Sequence, residues 1–507
     1  MENSHVATTT TAGSPRAARG LMLLASLFAT GCAAVGPDYA PPTVPVPTAW
    51  SSGLPEGLHA GEVELRDWWT LFEDPVLSNL IKRASDGNLD LRAAVARIDE
   101  ARALLGVTRG ARVPRVDVDA AYSRNRQSSE ASLGGRTLGD FVSVSDVDAY
   151  TVGVGAGWEL DVFGRVRRSV EASHANWQAT VEDYGAVLVA LRAEVALVYV
   201  EIRALQSRIA IAEKNVTSQR ASRDIVRKRR EAGTAPGLEL AQADANVAST
   251  EATLPQLRAR LGVATHRLSV LLGEHPGALK KDLGSLAPIP APPESTLVRV
   301  PAELLRKRPD IRRAERMLAV QTARVGVATA DLYPRFSLGG VFGFSAQSPA
   351  DLFQSSSRTF GVGPSVTWNV FSGGSVRSAI DVEDARVEQA LIVYEQAVLR
   401  ALEEVESALT NYGHERTRNT SLHSAVDAYR RAVGFAEDLY KGGKTDFQNV
   451  LDAQRNLLVF EDQLASSDAA LVERLVELYR AMGGAWNVEP QLDTAGPHTE
   501  GERGERQ

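Results

Sequence analysis

The 507 residues of this sequence contain one cysteine, Cys32, so the chain cannot form an internal disulfide. The HExxH and CxxC patterns and a nucleophile elbow are absent, and the eight histidines are scattered. These absences predict neither a metal site nor an enzyme. The formal net charge of −7 argues against a nucleic-acid-binding protein. After the N-terminal region no run of roughly 18 apolar residues occurs, so no transmembrane helix is predicted.

The residues before Cys32 have the pattern of a secretory signal peptide. An apolar run of about nine residues, Leu21–Ala29, follows the last basic side chain, Arg19, and is too short to cross a bilayer. Small residues separate this run from Cys32, which resembles the bacterial lipoprotein box, whose cysteine is acylated. The resemblance implies a covalent lipid on Cys32 and no other cofactor. Ala33, where lipoproteins retained in the inner membrane have aspartate, resembles the sorting signal of an outer-membrane lipoprotein. An ordinary signal peptide with an unpaired cysteine is the alternative.

The sequence repeats itself in two halves. The segment NLDLRAAVARIDEARALLG, which starts at Asn88, aligns without a gap with RPDIRRAERMLAVQTARVG, which starts at Arg308. WELDVFG at Trp158 aligns in the same way with WNVFSGG at Trp368. A proline-rich connector, Leu286–Pro301, joins the halves and has the composition of an extended linker. The sequence therefore predicts one architecture built twice.

Each half contains two segments in which apolar residues alternate with small or polar ones. They predict four strands of about ten residues with the two-residue period of an outer-membrane barrel strand. Polar loops are expected between them, at Arg124–Asp148 and Gln347–Thr359. The aromatic residues of these strands that we single out for the barrel wall are Tyr150, Trp158, Phe336 and Trp368. Four strands cannot close in lipid without open edges, so two or three chains must share a wall, and the strand count does not choose between them.

A very long helix follows the second strand of each half. Gly164–Arg230 and Gly374–Tyr440 contain no proline and are rich in helix-forming residues, so each predicts a helix of about 100 Å. Both helices end in a glycine turn and return as a second helix. The predicted return helices are Leu238–Leu272 and Phe447–Met482, and the helices before the strands are Pro75–Arg112 and Pro301–Leu332.

These patterns divide the chain into segments along its length. The first half comprises 1–31 (signal peptide), 32–74 (lipid-anchored extended segment), 75–112 (helix), 113–160 (β-hairpin) and 161–275 (helical hairpin). The second comprises 276–301 (proline-rich linker), 302–333 (helix), 334–372 (β-hairpin), 373–484 (helical hairpin) and 485–507 (disordered tail).

Taken with its motifs, the chain resembles the TolC/OprM family of bacterial outer-membrane efflux channels, in the lipoprotein (NodT-type) branch that serves RND efflux systems. The motifs are GPDYAPP at Gly36, DWWTLFEDPVLSNLI at Asp67, GNLDLRAAVARIDEARA at Gly87, RPDIRRAE at Arg308 and LYPRFSLGG at Leu332. The resemblance implies a mixed, mainly α fold and a homotrimer. Its twelve-stranded transmembrane β-barrel, four strands per chain, would continue into a long periplasmic α-helical barrel.

The resemblance also implies a function. The trimer would be the passive exit duct of a tripartite multidrug or small-molecule efflux system, bound to a periplasmic adaptor protein and an inner-membrane RND pump. Its gate would lie at the periplasmic helix tips, with Tyr440, Lys444, Asn449 and Asp452 as the gate residues. Asn449 stands where many family members have an acid. Asp452 carboxylates would meet around the threefold axis and repel unless a cation such as Lys444 holds them.

The glycine turns give the last candidate residues. Gly233, Thr234 and Gly443 are the expected contacts with the adaptor, although a tight turn between helices is by itself a sufficient reason for the glycines. Two alternatives to the efflux duct remain open. One is a TolC-like outer-membrane duct for type I protein secretion, and the other is a lipid-anchored trimeric stalk that does not conduct.

Overall fold

A computed structural model describes residues 34–51, 53–61, 67–126, 132–133, 136–137, 146–293, 295–302 and 307–484. The predicted signal peptide, Cys32 and the predicted disordered tail lie outside the described residues. The chain divides into two compact units. Unit 1 comprises the described parts of Met1–Pro42, Glu100–Gln178 and Arg316–Ile392, and unit 2 those of Thr43–Asp99, Ala179–Glu315 and Val393–Gln507.

Strands and helices are numbered here in chain order. The strands are β1 (Leu58–Ala60), β2 (Arg115–Arg126), β3 (Ser132–Leu133), β4 (Arg136–Thr137), β5 (Asp146–Leu160), β6 (Thr296–Val298), β7 (Arg335–Ala346) and β8 (Arg358–Thr367). The helices are α1 (Pro75–Gly87), α2 (Leu89–Gly110), α3 (Arg165–Glu231), α4 (Gly237–Glu251), α5 (Thr253–Leu271), α6 (Pro309–Ala330), α7 (Ser375–Lys441) and α8 (Phe447–Ala481). Among the described residues, no helix is both long and apolar enough to cross a bilayer.

The four predicted long strands are present in unit 1 and form one antiparallel sheet in the order β2-β5-β7-β8. In the described part of the chain, β2 and β8 have no partner on their outer edges. The first hairpin is longer than predicted, since β2 runs to Arg126 and β5 begins at Asp146. The predicted loop start at Arg124 is therefore wrong. Arg124 instead forms an ion pair across the strands with Asp146 at 3.0 Å, and Tyr122 donates to Asp148 at 2.9 Å.

The long helices α3 and α7 have 67 residues each, which confirms the prediction from the missing prolines. Three other predicted helices are interrupted, and the one expected over Pro301–Leu332 breaks at Arg308, directly before α6 begins at Pro309. The helix expected over Pro75–Arg112 breaks at Asn88, whose backbone is extended (ψ 132°). The Asn88 side chain accepts from the Leu91 N–H and donates to the Leu271 carbonyl, both at 2.9 Å. The return helix breaks at Ala252, because Pro255 has no N–H to donate to the carbonyl one turn earlier.

Aromatic residues form a core in unit 2. Trp68 stacks on Tyr479 with ring centroids 5.3 Å apart, and Phe72 meets the same ring edge-on. Asp74 caps α1 by accepting from two backbone N–H groups, and it also accepts from the Tyr199 hydroxyl at 2.6 Å. The DWWTLFEDP motif therefore joins the extended N-terminal segment to α1, α3 and α8.

The N-terminal segment of unit 1 lies in a slot at the start of α3. Arg168, which is buried, donates to the carbonyls of Val35 and Gly36 and to the Asp38 carboxylate, the last at 2.7 Å. Val35 donates its N–H to the Phe163 carbonyl at 3.0 Å. The GPDY motif is thus held by one buried guanidinium through charge-assisted bonds.

Glycines bring the backbones at this slot close together. A Cβ on Gly36 would lie 2.4 Å from the Gly326 Cα, and one on Gly164 would lie 2.4 Å from the Ala34 Cβ. A Cβ on Gly326 would lie 2.8 Å from the Arg168 Cγ. Each distance is shorter than a van der Waals contact, so the slot requires these glycines.

We expect Gly326→Ala to destabilise unit 1 by about 1–3 kcal/mol, because its methyl group overpacks against the Arg168 side chain. Gly106, which aligns with Gly326 in the repeat, has no atom within 4 Å of its would-be Cβ and is the matched control. Gly106→Ala is expected to be neutral or to stabilise its helix by up to about 1 kcal/mol. Thermal unfolding followed by circular dichroism measures both, and equal effects would contradict the close approach.

Candidate gate at the helix tips

Two glycine turns close the helical hairpins of unit 2. Gly233 (φ +73°) lies between α3 and α4, and Gly443 (φ +66°) lies between α7 and α8. The N–H of the residue after each glycine returns to a carbonyl of the preceding helix at 2.8 Å, from Thr234 to Arg229 and from Lys444 to Leu439. The left-handed conformation explains both glycines. Gly233, Thr234 and Gly443 are all exposed, and their contact with an adaptor stays a prediction.

Behind these turns the two hairpins share a small hydrophobic core. Its buried members, which we call the tip cluster, are Val226, Ala243, Tyr440, Phe447, Val450 and Leu451. They come from α3, α4, α7 and α8, and the Tyr440 and Phe447 rings lie 5.2 Å apart. Burial of these side chains holds the ends of both hairpins together.

Tyr440 is the residue at which polar contacts join the two hairpins. Its hydroxyl donates to Glu239 of α4 at 2.6 Å. Arg229 of α3 donates to the Tyr440 carbonyl at 2.6 Å and places its guanidinium 4.5 Å above the ring. Burial, and then the bond to Glu239, raise the pKa of Tyr440 above its ordinary value of 10, so the hydroxyl remains a donor at neutral pH.

The family motif points to Tyr440, whereas no sequence pattern points to its partners Arg229 and Glu239. Both are charged residues close to the first glycine turn, at the end of α3 and the start of α4. Their position beside a turn was the available signal. Many exposed charges share that feature, so the sequence alone could not separate this pair from its neighbours.

The other predicted gate residues are exposed on the first turns of α8 or in the turn before it. Asp452 accepts from Gln448 at 2.9 Å, and Asn449 donates to Thr445 at 2.6 Å. In the described part of the chain, Lys444 forms no ion pair with Asp452, so the expected cation partner is not found within one chain. Tyr440 is therefore hydrogen-bonded to α3 and α4. The hydrogen bonds given above for Asp452 and Asn449 involve neither of these helices.

The predicted barrel aromatics lie in unit 1. Trp158 donates its indole N–H to the Arg112 carbonyl at 3.0 Å, and Trp368 donates in the same way to Leu332 at 3.1 Å. Each tryptophan therefore fastens its hairpin to the residues that follow the preceding helix. Of the other two, Tyr150 packs on Tyr122 (4.8 Å between centroids) and Phe336 on Phe163 (6.4 Å).

The sequence matches the family described as "Outer membrane efflux protein" over residues 80–274 and 300–484. The chain belongs to this family. Nodulation protein T of Rhizobium leguminosarum bv. trifolii is 29% identical over 91% of this chain and 96% of its own. The solvent efflux pump outer membrane protein SrpC of Pseudomonas putida is 30% identical over 93% and 99%. Among solved structures, the outer-membrane channel OprN is 39% identical with a TM-score of 0.80, over 89% of this chain and 99% of that one.

These likenesses confirm the resemblance drawn from the motifs, including the NodT-type branch. The chain is an outer-membrane protein with the fold of the efflux channels, and that fold is mainly helical in this chain. The family is one of channels rather than of enzymes.

We expect Tyr440→Phe and Glu239→Ala each to weaken the link between the hairpins, and the double variant to be no weaker than either single one. The reason is that both changes remove the same bond, one to a charged acceptor worth about 1.5–3 kcal/mol. A double-mutant cycle on thermal unfolding measures this coupling. Additive effects would show that the two side chains act separately.

Proposed function

We propose that this chain is the outer-membrane exit duct of a tripartite RND-type efflux system for drugs or other small molecules. The observation that carries the proposal is the four-stranded sheet with unpartnered edges at β2 and β8, in a member of the outer membrane efflux protein family. Backbone groups left unpaired in lipid cost several kcal/mol each, so the edges must be joined to other chains. SrpC, whose name assigns it to a solvent efflux pump, supports an efflux role.

Three chains form the duct in this proposal. Twelve strands close into a barrel in the outer membrane, and α3, α7 and their return helices line a periplasmic tube. The resemblance to TolC/OprM channels supports three chains over two, and the equal lengths of α3 and α7 support the two-fold repeat in each chain. The covalent lipid on Cys32 belongs to the same proposal, and the slot around Arg168 holds the residues that follow it.

A duct of this kind supplies no energy of its own. We therefore assign proton-driven transport to an inner-membrane RND pump, and docking of the helix tips to a periplasmic adaptor. The tip cluster and the link from Tyr440 to Glu239 and Arg229 hold the two hairpins together and keep the gate closed. Type I protein secretion would use the same fold with another partner, and the names of the relatives favour efflux over it.

Deletion of the gene tests this function in cells. We expect several unrelated dyes, antibiotics and solvents to accumulate in the deletion strain and to fall again on complementation, because their common exit is lost and restored. Intracellular accumulation measured against the parent strain checks this. If no small molecule accumulates while a secreted protein disappears from the medium, the chain serves type I secretion instead.

Asn449 provides a test of the gate. Asn449→Asp adds one carboxylate per chain one turn from Asp452. Asn449 donates to the Thr445 hydroxyl, and an aspartate there can accept from the same hydroxyl instead, so the change should not disturb the fold. In a trimer this places three more negative charges at the neck, and we expect a higher cation-to-anion permeability ratio that falls with rising salt. Reversal potentials in planar bilayers measure it. Asn411→Asp, exposed on α7 far from the tip, is the control, and an equal shift there would show that the effect does not come from a neck at Asn449.

A further inference from the structure

A polar residue recurs every seven positions along the second half of α3. The four residues are Arg208, Asn215, Ser222 and Arg229. Each makes a side-chain contact with the hairpin of α7 and α8, as a heptad position facing a partner helix does. We call this row the polar seam.

The contacts in the middle of the polar seam fix the register of the two helices. Asn215 donates to Glu461 at 3.0 Å, and Gln454 donates to Ser222 at 2.8 Å. A step of seven residues forward on α3 therefore matches a step of seven residues backward on α8, so the helices run antiparallel. All four side chains are buried, which makes the loss of a partner costly.

Gln219 lies on the seam between these two contacts, four residues after Asn215 and three before Ser222. It is only 3% exposed. Within the residues that the structure describes, neither its amide nitrogen nor its amide oxygen has a hydrogen-bond partner. The register of these two contacts places Gln219 level with Leu457 of α8, with Gln454 one turn away. A buried amide with two unmet bonds is rare and requires an explanation.

Bonds inside the hairpin of α7 and α8 would survive a movement along α3. Arg430 donates to Glu461 at 3.0 Å, and Gln454 donates to Glu437 at 3.0 Å, each bond joining α7 to α8. Asn215 likewise keeps a second bond, to the Ile211 carbonyl of its own helix at 2.9 Å. The contacts that a displacement would exchange are therefore those between α3 and the hairpin.

We propose that the polar seam is a two-position ratchet and that Gln219 is the hydrogen-bond partner of Gln454 in the second position. A local displacement of the hairpin of α7 and α8 along α3 by three residues, about 4.5 Å away from the tip, moves Gln454 from the level of Ser222 to that of Gln219. Two amides can then donate and accept mutually. Ser222, released, can bond to a carbonyl of its own helix. The proposal rests on the proposed gate and assigns the second position to its open state.

The same movement explains why the link at Tyr440 is polar and small. Displacement of the hairpin from α3 and α4 breaks the bonds of Tyr440 to Arg229 and Glu239. The closed position keeps these bonds and leaves Gln219 unmet, whereas the open position loses them and satisfies Gln219. Each position thus has its own set of polar contacts, which gives two discrete states rather than a continuous range.

Two leucine substitutions on the seam should have different effects. Gln219→Leu removes the unmet amide of the closed position and the new partner of the open one, so we expect the open probability in planar bilayers to fall at least about fivefold. Gln454→Leu removes one seam bond from each position, to Ser222 in the closed one and to Gln219 in the open one, so we expect its open probability to remain near the wild-type value. Heat-stable trimers on gels confirm assembly of both variants. An unchanged or higher open probability for Gln219→Leu would overturn the proposal.

Crosslinking tests the displacement without relying on conductance. The pair Gln219→Cys with Gln454→Cys should form a disulfide faster during active efflux than at rest, and the single variant Gln454→Cys controls for reaction with Cys32. A pair that crosslinks no faster during efflux shows that α8 does not reach Gln219, and the ratchet is wrong. If the wild-type protein does not conduct at all, the proposed duct is wrong. This outcome differs from failure of the ratchet alone, in which the wild-type protein conducts but the variants do not behave as expected.

Discussion

The unpaired backbone groups along β2 and β8 constrain everything else in this protein. A sheet of four antiparallel strands with two open edges is incomplete in any environment and is excluded from lipid, where no water satisfies the exposed N–H and C=O groups. In the proposed trimer, closure by further copies of the same chain would remove the edges and place the four strands of each chain in one wall. The tryptophans Trp158 and Trp368 then connect that wall to the helices, since each indole bonds to the backbone just after a helix that leads into the sheet.

In the proposed duct the helical hairpins meet a different requirement, because a gate at their tips would have to hold together and still be able to separate. An entirely apolar seam between α3 and α8 would have favoured one tightly packed position. The observed seam instead alternates apolar contacts with single hydrogen bonds to Glu461 and Gln454, and it ends in the bonds around Tyr440. Such bonds contribute about 1–3 kcal/mol each, with the larger values for the carboxylate acceptors Glu461 and Glu239, and they can be exchanged for others. A gate made of these contacts can respond to the modest energy of a docking partner.

Much of the fold could be predicted from the sequence. Missing prolines located α3 and α7 to within a residue, and the two-residue period located the four strands. The breaks at Asn88 and Ala252 were missed for different reasons. Pro255 indicates a break, but the helical pattern around it is strong and favoured one continuous helix. Asn88 carries no such local signal, because its side chain bonds to the Leu271 carbonyl, which is distant in the sequence. The candidate gate likewise contains one residue that the sequence indicates and others that it does not. Tyr440 followed from the family motif, but its partners Arg229 and Glu239, and the unmet amide of Gln219, depend on the register between helices, which no local pattern encodes.

The central claim is that chains share one wall through the edges of β2 and β8. Electron cryomicroscopy of the purified protein in lipid nanodiscs tests it directly. The account predicts three chains, with β2 of each hydrogen-bonded to β8 of the next in a closed twelve-stranded barrel around an empty lumen. Separate four-stranded sheets, or helices packed solidly along the axis with no lumen, would contradict it.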